Sequence, residues 1–274
     1  MNKKIVAIGG GKIGRKNNEG VFNPYETKNI DKRIVELTEK VNPNFLFLAH
    51  SISIDRQQDY FEAISKIYGD KLKCNCKTLK SDELSNERKV EDLINWADII
   101  YEGGGSTLNM MKLWEKYSFD KKLYNAWNFG KVMCGLSAGA NAWFELCNSD
   151  SLKIENGKDS PWCTVKCLGF LPFMLTPHCD EEGRDESTKE QLKENKKVGI
   201  SLSNCCAIEI IDKEYKIIVD NGEFHNIIPY AKMTYWKGDK YIEKNLINTN
   251  NYESWENLIN DSLLRNLREN KLYI

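Results

Sequence analysis

A short apolar run leads into the pattern Gly-x-Ser-x-Gly and then into a segment of small residues, between Lys131 and Phe144. This order predicts a buried strand, a tight turn and a helix, the arrangement called a nucleophile elbow. Gly135 and Gly139 would let strand and helix approach closely, while Ser137 projects outward from the turn. The motif therefore favours an α/β fold with a reactive serine; the alternative is a structural turn with an idle serine.

Apolar runs alternate with helical patterns through the first half of the chain. Runs typical of buried parallel strands cover residues 5–8, 45–49, 72–76, 98–101 and 131–136. Helical patterns cover residues 31–40, 57–68, 91–97, 108–117 and 120–129. This βαβα order predicts an α/β fold with one mostly parallel sheet and helices on both faces.

The second half of the chain is less regular. Residues 141–145 are expected to continue the elbow helix, and the polar stretch 149–161 reads as a loop. Residues 207–211 and 215–219 predict a C-terminal antiparallel hairpin, followed by short strands near 227–236 and a helix over 252–270. Without a repeat or a linker, residues 1–274 are expected to form a single domain.

Composition excludes several classes of function. The 274 residues carry a net charge of −1, so there is no overall attraction for nucleic acid or for an anionic membrane. The apolar start is too short for a signal peptide, and no run approaches the ~20 apolar residues of a membrane span, which favours a cytoplasmic protein. Nine cysteines without a Cys-x-x-Cys pair, and only three histidines, favour free thiols over a metal or cofactor site.

Two glycine-rich segments need separate interpretations. Residues 9–14 match Gly-x-Gly-x-x-Gly, but turn formers and Pro24 follow where a dinucleotide site requires a helix, which argues against a nicotinamide or flavin site. Residues 103–105 expose successive backbone N–H groups that could form an oxyanion hole. The alternatives are a phosphate-binding loop, or a helix entry capped by Ser106 or Thr107.

A reactive serine needs a general base. His178 follows an apolar run over residues 170–177, a predicted strand end, and is the favoured candidate. His50 also follows a predicted strand and is the alternative, while His225 lies in a predicted hairpin turn. A site without a catalytic histidine is the remaining possibility.

Three segments together resemble the peptidase E and cyanophycinase family of serine peptidases: 103–108, 135–141 and 169–178, over roughly residues 1–222. The resemblance implies a class I glutamine-amidotransferase-like fold, Ser137 as nucleophile and His178 as base. It also implies an oxyanion hole from the backbone N–H groups of Gly104, Gly105 and Ala138. The best-known member removes an N-terminal aspartate from dipeptides, commonly as a homodimer.

The chain departs from the family pattern in several places. Ser106 replaces the usual asparagine, and the turn at residues 203–204 lacks the acidic residue often found there. For the carboxylate that orients His178, the nearest match is Asp150, and Glu145 on the expected elbow helix competes with it. Arg184 is the candidate partner for an acidic substrate side chain; the alternative is a solvated charged loop.

These observations predict a serine-type hydrolase that cleaves amide bonds of short peptides through an acyl-enzyme. An N-terminal aspartate is one candidate specificity, and no metal or cofactor is expected. The alternatives are an esterase or amidase of other specificity, and a binding protein that keeps the cleft without catalysis. Glutamine amidotransferase activity is disfavoured, because that chemistry uses a cysteine at the elbow.

Overall fold

The computed structural model describes residues 2–14, 20–21, 23–221, 228–247 and 251–258, which contain fourteen strands and eight α-helices. The strands are β1 Lys4–Ile8, β2 Asn44–Leu48, β3 Asn75–Leu79, β4 Ile99–Glu102, β5 Val132–Leu136, β6 Phe144–Ser149, β7 Cys163–Lys166, β8 Leu171–Thr176, β9 Gly199–Leu202, β10 Cys206–Ile211, β11 Glu214–Val219, β12 Ala231–Lys237, β13 Lys240–Leu246 and β14 Glu253–Ser254. The helices are α1 Lys28–Glu36, α2 Ile54–Ser65, α3 Glu87–Trp96, α4 Thr107–Lys116, α5 Phe119–Asn128, α6 Ala138–Asn141, α7 Ser151–Asn156 and α8 Arg184–Asn195.

The first sheet has eight strands in the order β14-β11-β10-β1-β5-β4-β2-β3. The five strands from β1 to β3 in this order are parallel, and β10, β11 and β14 are antiparallel. Ile8 pairs with Leu136, and Glu102 pairs with Gly135. The carboxyl ends of β1, β4 and β5 therefore meet at one edge, where the ligands of open α/β sheets bind.

Helices cover both faces of the parallel part, as expected. Ile5 and Ala7 of β1 join a cluster with apolar side chains of α3, α4 and α5, whereas Val6 and Ile8 join a cluster with α1 and α2. Because successive strand residues point to opposite faces, a strand buried on both sides must be a continuous apolar run. This explains why these strands could be predicted.

A second sheet was not expected. It has six strands in the order β13-β12-β9-β8-β6-β7, with β6, β8 and β9 parallel. Its apolar side chains Phe144, Leu175 and Ile200 belong to the same buried cluster as those of α3 to α5. The prediction of a single sheet was therefore wrong, although the core of each sheet is parallel.

The elbow helix is shorter than predicted. α6 ends at Asn141, and β6 begins at Phe144, so Glu145 lies on a strand and not on a helix. Phe144 and Cys147 are fully buried, since this segment pairs with β7 and β8 in the second sheet. Strand pairing and burial thus override a helical pattern that continues only for one turn.

The boundaries of several other elements also differ from the prediction. A π-helical turn, Lys66–Lys71, continues α2 up to the start of the predicted strand 72–76, and β3 begins three residues later than predicted, at Asn75. The predicted loop 149–161 contains α7. The hairpin of β10 and β11 is confirmed. Of the predicted helix 252–270, the described part forms β14 and a 3₁₀ turn, Trp255–Leu258, and the rest lies outside the described residues.

Within the described ranges, no helix is long and apolar enough to cross a membrane. All nine cysteines are free thiols, and most are buried. In this part of the chain, the side chains that commonly ligate metals form no group that could hold an ion.

Candidate active site

Ser137 lies in a strained turn between β5 and α6. Its backbone has φ 57° and ψ −112°, a combination that non-glycine residues rarely adopt. The turn is held by a 3.0 Å hydrogen bond from Ser137 N to Ile8 O. A Cβ at Gly139 would lie 2.0 Å from Glu102 O, so only glycine allows α6 to pack this closely against β4. The local geometry is that of a nucleophile elbow.

Ser137 and His178 line the same cavity, which has a volume of about 290 Å³. His178 follows β8 in a left-handed conformation with φ 47°, and its N–H donates to Gly9 O at 3.0 Å. β8 thereby brings the imidazole from the second sheet to the carboxyl edge of the first. No hydrogen bond joins the two side chains among the described contacts; catalytic hydrogen bonds of this kind often tighten only when substrate binds.

The side chain that contacts the imidazole is an amide. Asn204 Oδ1 lies 2.8 Å from His178 Nδ1, and Asn204 Nδ2 donates to Asp180 Oδ2 at 2.8 Å. Asp180 Oδ1 also accepts the backbone N–H of Asn204 at 2.8 Å. Because a carboxylate only accepts, the amide NH₂ must face Asp180, and its oxygen must face His178. His178 Nδ1 is then the protonated nitrogen, which leaves Nε2 as an acceptor.

Burial and the charge of Arg184 favour the neutral form of His178. Burial lowers the pKa of His178 below its ordinary value of 6.5, and the positive charge of Arg184 lowers it further. Glu181, whose carboxylate lies 4.0 Å from Nδ1, and the hydrogen bond with Asn204 act in the opposite direction. A neutral imidazole at pH 7 is the state that a general base requires.

His50 has a structural role. It is buried, its Nδ1 accepts a 2.9 Å hydrogen bond from Trp114 Nε1, and its Nε2 lies 2.9 Å from Leu79 O. Burial lowers the pKa of His50 to about 4. Both ring nitrogens are therefore engaged away from Ser137. His225 lies outside the described residues.

Neither of the two carboxylates expected to orient His178 is hydrogen-bonded to it among the described residues. Glu145 forms a 2.7 Å ion pair with Lys197, and the structure does not bring it to the cavity. Asp150 does line the cavity, at the start of α7, but no hydrogen bond joins it to His178 among the described residues. Its negative charge raises the pKa of His178 only weakly, less than Glu181 or the hydrogen bond with Asn204 does. Asn204 occupies the position that both were expected to fill.

The glycine-rich loop after β4 lies against the elbow. A Cβ at Gly104 would lie 3.3 Å from Ser137 Cβ, so the two backbones are in contact. Gly104 N donates to Tyr60 Oη at 3.0 Å, which engages one of the three expected oxyanion donors. Gly105 N has no partner among the described residues. The N–H of Ala138 opens α6 and is one of the donors that a helix leaves without an internal partner.

The loop is held in place by buried polar groups. Glu102 is fully buried, and its carboxylate accepts the N–H of Ser51 at 3.1 Å. Ser106 N donates to Ser51 O at 2.8 Å, and a Cβ at Gly105 would lie 2.3 Å from that same oxygen. Ser106 itself caps α4 by accepting from Asn109 N. The predicted cap is therefore present together with the loop.

Cations predominate at the cavity. Lys12 and Arg56 line it, and Asp150 is the acidic residue among the described lining side chains. Arg184 is not a lining residue: it is fully buried, with its guanidinium 4.1 Å from the centre of the Trp162 ring. The solvated-loop alternative for Arg184 is therefore wrong. Its Nη1 lies 3.4 Å from Glu181, while Nε and Nη2 have no partner among the described residues.

Two larger clefts, of about 710 and 760 Å³, lie elsewhere on the described surface. The first lies between α4, α5 and the segment after β7, and the second lies at the opposite, amino-terminal edge of the parallel strands. Neither is lined by a histidine or a serine. The smaller cavity is lined by both Ser137 and His178.

The sequence model of Peptidase family S51 matches residues 5–218, which include the elbow, the glycine-rich loop and His178. The chain belongs to Peptidase family S51. It is thus a peptidase E-like serine peptidase, and the resemblance noted from its three motifs is confirmed. The match includes Asn204 and Asp180 as well.

Individual proteins and solved structures are also similar to this chain. The uncharacterized peptidase YgaJ of Bacillus subtilis (strain 168) is 30% identical over 199 residues, covering 71% of this chain and 76% of YgaJ. A peptidase from an acI-B1 Actinobacterium has the same fold, with a TM-score of 0.63 and 17% identity over 93% of this chain and 97% of that one. A candidate peptidase E protein from Listeria monocytogenes EGD-e has a TM-score of 0.55 and 20% identity, over 80% and 99%.

Sequence reasoning missed the two polar residues behind the imidazole. Asn204 was noted only as the place where an acidic residue is absent, and Asp180 only as part of a charged loop. A weak indication was available: Asp180 follows His178 by two residues, and Asn204 closely follows the short, mostly apolar segment 198–202. An asparagine near a strand end is nonetheless common, and nothing in its spacing connects it with residue 178.

Proposed function

We propose that Ser137, His178 and Asn204 are the catalytic triad of this S51 peptidase. The observation that carries the proposal is the cavity shared by Ser137 and His178, with Nδ1 of the imidazole bonded to Asn204. The strained serine, the neutral histidine and the orienting side chain are the three parts that an activated serine requires. Asn204 takes the role that the sequence assigned to Asp150 or Glu145.

In the proposed reaction, Ser137 Oγ attacks the carbonyl carbon of a peptide bond, and His178 Nε2 accepts the hydroxyl proton. The imidazolium then protonates the leaving amine, and the C–N bond breaks to give an acyl-enzyme. Water then attacks the ester carbonyl while His178 Nε2 takes its proton. The imidazolium returns that proton to Ser137 Oγ as the acyl C–O bond breaks, which releases the carboxylic acid and the free serine. The backbone N–H groups of Gly105 and Ala138 are the proposed donors to the oxyanion, each supplying on the order of 3 kcal/mol.

Gly104 has a different place in this proposal from the one expected. Its N–H already donates to Tyr60 Oη, so its backbone contributes by packing against Ser137. For Gly104 to join the oxyanion hole, the Tyr60 contact would have to open when substrate binds. Two donors are sufficient for an oxyanion hole in serine hydrolases.

The substrate that we propose is a short peptide with a negatively charged group, such as an Asp-X dipeptide. A cavity of about 290 Å³ lies at the lower limit of about 300 Å³ for small-molecule pockets, which favours a short substrate. Lys12 and Arg56 outnumber Asp150 at its wall, which favours an anionic ligand. Arg184 would act on an acidic side chain only if its buried guanidinium becomes accessible.

A fluorophosphonate probe tests the nucleophile. We expect labelling of the wild-type protein on Ser137, none in Ser137→Ala, and labelling slowed at least 100-fold in His178→Ala. Ser85→Ala, which removes an exposed serine that does not line the cavity, is the matched control and should label normally. Undiminished labelling of His178→Ala would remove the proposed base.

A substrate panel tests the specificity. Asp-X dipeptides should be cleaved faster than Ala-X dipeptides, and amidation of the C-terminal carboxylate should raise KM. Hydrolysis of acyl esters with no cleavage of any peptide would replace the proposal by an esterase.

The homodimer that the family resemblance implies is part of the same proposal, and light scattering of the purified protein measures it directly.

A further inference from the structure

The hydrogen bonds behind His178 continue past the triad to a second residue, Asp180. We propose that Asp180 is a positioning residue: by fixing the orientation of the Asn204 amide, it selects the tautomer of His178 that can accept a proton from Ser137. The inference rests on the proposed function for its kinetic consequences. Its structural consequence, the tautomer itself, can be measured whether or not the protein hydrolyses peptides.

Asp180 holds Asn204 at two points. One carboxylate oxygen accepts the backbone N–H of Asn204 and the other accepts its side-chain NH₂, both at 2.8 Å. Cys179 N also donates to Leu202 O at 3.1 Å, which ties the segment after β8 to the end of β9. Asn204 is buried, with 7% of its surface exposed. The amide is therefore held by its backbone and by its side chain at once.

An asparagine alone would not define the tautomer. Turning its amide by 180° exchanges a donor for an acceptor in nearly the same shape. With NH₂ toward Nδ1, the imidazole would carry its proton on Nε2 and could not accept one from Ser137. Among the described residues, the group that distinguishes the two amide orientations is the carboxylate of Asp180, since it accepts hydrogen bonds and donates none.

Other charges near the imidazole do not replace Asp180. Glu181 Oε1 lies 4.0 Å from Nδ1, beyond hydrogen-bond distance, and its other oxygen lies 3.4 Å from Arg184. Asp150 lies at the cavity wall without a hydrogen bond to the imidazole among the described contacts. The arrangement therefore separates two tasks that one carboxylate performs in Ser-His-Asp triads: contact with the imidazole and the supply of negative charge.

Three variants test the inference. In Asp180→Asn, a group of the same shape no longer distinguishes the amide orientations. A wrong tautomer in a serine triad lowers kcat by about 10⁴, so a mixture of orientations should lower kcat at least 10-fold with little change in KM.

In the exchange variant D180N/N204D, the amide now at position 180 would donate to the carboxylate now at position 204, which would accept directly from Nδ1. This variant should regain most of the lost kcat. Glu182→Gln removes a neighbouring exposed carboxylate and is the control for net charge.

Nitrogen NMR of ¹⁵N-histidine-labelled protein at pH 8 reads the tautomer without a substrate. Wild-type His178 should be protonated on Nδ1, and Asp180→Asn should give mixed or exchanging signals. His50 is an internal reference of the opposite tautomer, because its Nδ1 accepts from Trp114. A thermal melt of each variant checks that it is folded.

An unchanged Nδ1–H tautomer in folded Asp180→Asn would overturn the inference, as would an exchange variant with kcat no better than the single change. If wild-type protein neither reacts with the fluorophosphonate nor cleaves peptides, the proposed function fails. In that case a tautomer change in Asp180→Asn would still support the role of Asp180. The two failures are thereby distinguishable.

Discussion

The imidazole of His178 lies against the bare Cα of Gly10. A Cβ built at Gly10 would lie 2.2 Å from His178 Cε1 and 2.2 Å from Asn204 Oδ1. The neighbouring backbone is also engaged, since Gly9 O accepts from His178 N and Gly10 O accepts from Cys205 N, both at 3.0 Å. The glycine-rich segment that matches a dinucleotide fingerprint therefore has a different role: it lets the chain after β1 pass directly against His178 and Asn204.

Gly10→Ala should impair the site directly. The added methyl group would displace either His178 or Asn204, because side chains do not approach a Cβ as closely as 2.2 Å. We expect kcat to fall at least 100-fold, since small misplacements of catalytic groups have effects of that order. Gly69→Ala, whose Cβ would have its nearest neighbour at 3.5 Å, is the matched control. Wild-type kcat in folded Gly10→Ala would contradict the proposed place of His178 in catalysis.

The charge of Arg184 should influence the pH at which activity is lost in acid, because it lowers the pKa of His178. Because burial and the Arg184 charge lower the pKa of His178, kcat/KM should fall on acidification only below pH 6.5. Arg184→Gln removes the positive charge, so the pKa of His178 should rise and the acid limb should move to higher pH. Arg184→Lys keeps the charge and is the control. Glu181 and Asp150 oppose Arg184, and an acid limb that stays in place in Arg184→Gln would show that burial alone is responsible.

Glu145→Gln should leave catalysis intact. Its carboxylate is paired with Lys197, and loss of a partly exposed ion pair typically costs at most about 1 kcal/mol of stability. We expect kcat within 2-fold of wild type for Glu145→Gln and a loss of at least 10-fold for Asn204→Ala. Equal losses in the two variants would return the orienting role to Glu145. Steady-state kinetics on one dipeptide are sufficient for the comparison.

Arg56→Gln should weaken substrate binding with little effect on the chemical step. Arg56 lines the cavity wall and lies outside the proposed Ser137–His178–Asn204 triad, so its removal should raise KM about 3- to 10-fold for anionic dipeptides. The effect should shrink at high salt. Arg88→Gln, which removes an exposed cation of α3 that does not line the cavity, is the matched control. A similar rise of KM in both variants would mean that net charge, not the cavity, is responsible.

His50 should make the protein less stable in acid. The unfolded chain binds a proton at His50 near pH 6.5, whereas the folded protein does so only near pH 4. The free energy of unfolding should therefore fall as the pH is lowered from about 6.5 to 4, by about 3 kcal/mol in total.

His50→Gln removes that titration while an amide can still bond to Leu79 O and Trp114 Nε1. Denaturant unfolding at pH 7 and pH 4.5 should give a smaller difference for the variant than for wild type. The lowered pKa of His178 and the raised pKa of Asp31 also make stability depend on pH, but both groups are present in both proteins and cancel in the comparison. Equal pH dependence in the two proteins would contradict the buried, neutral state of His50.

Local patterns determined much of the fold. The buried strands β1, β2, β4 and β5 are continuous apolar runs because both faces of their sheet are covered. The elbow was recognisable because a tight strand-to-helix crossing requires glycine at 135 and 139, whatever the rest of the chain does. Features of this kind depend on neighbours within a few residues, so they can be predicted from the sequence alone.

The second sheet and the partner of His178 were decided only by the tertiary structure. Whether residues 144–149 extend a helix or pair with β8 depends on strands that lie more than twenty residues later. Likewise, Asn204 meets His178 across 26 residues because β8 and β9 are adjacent and parallel. A hydrogen bond acts over about 3 Å, and the sequence does not record which distant polar groups come within that distance.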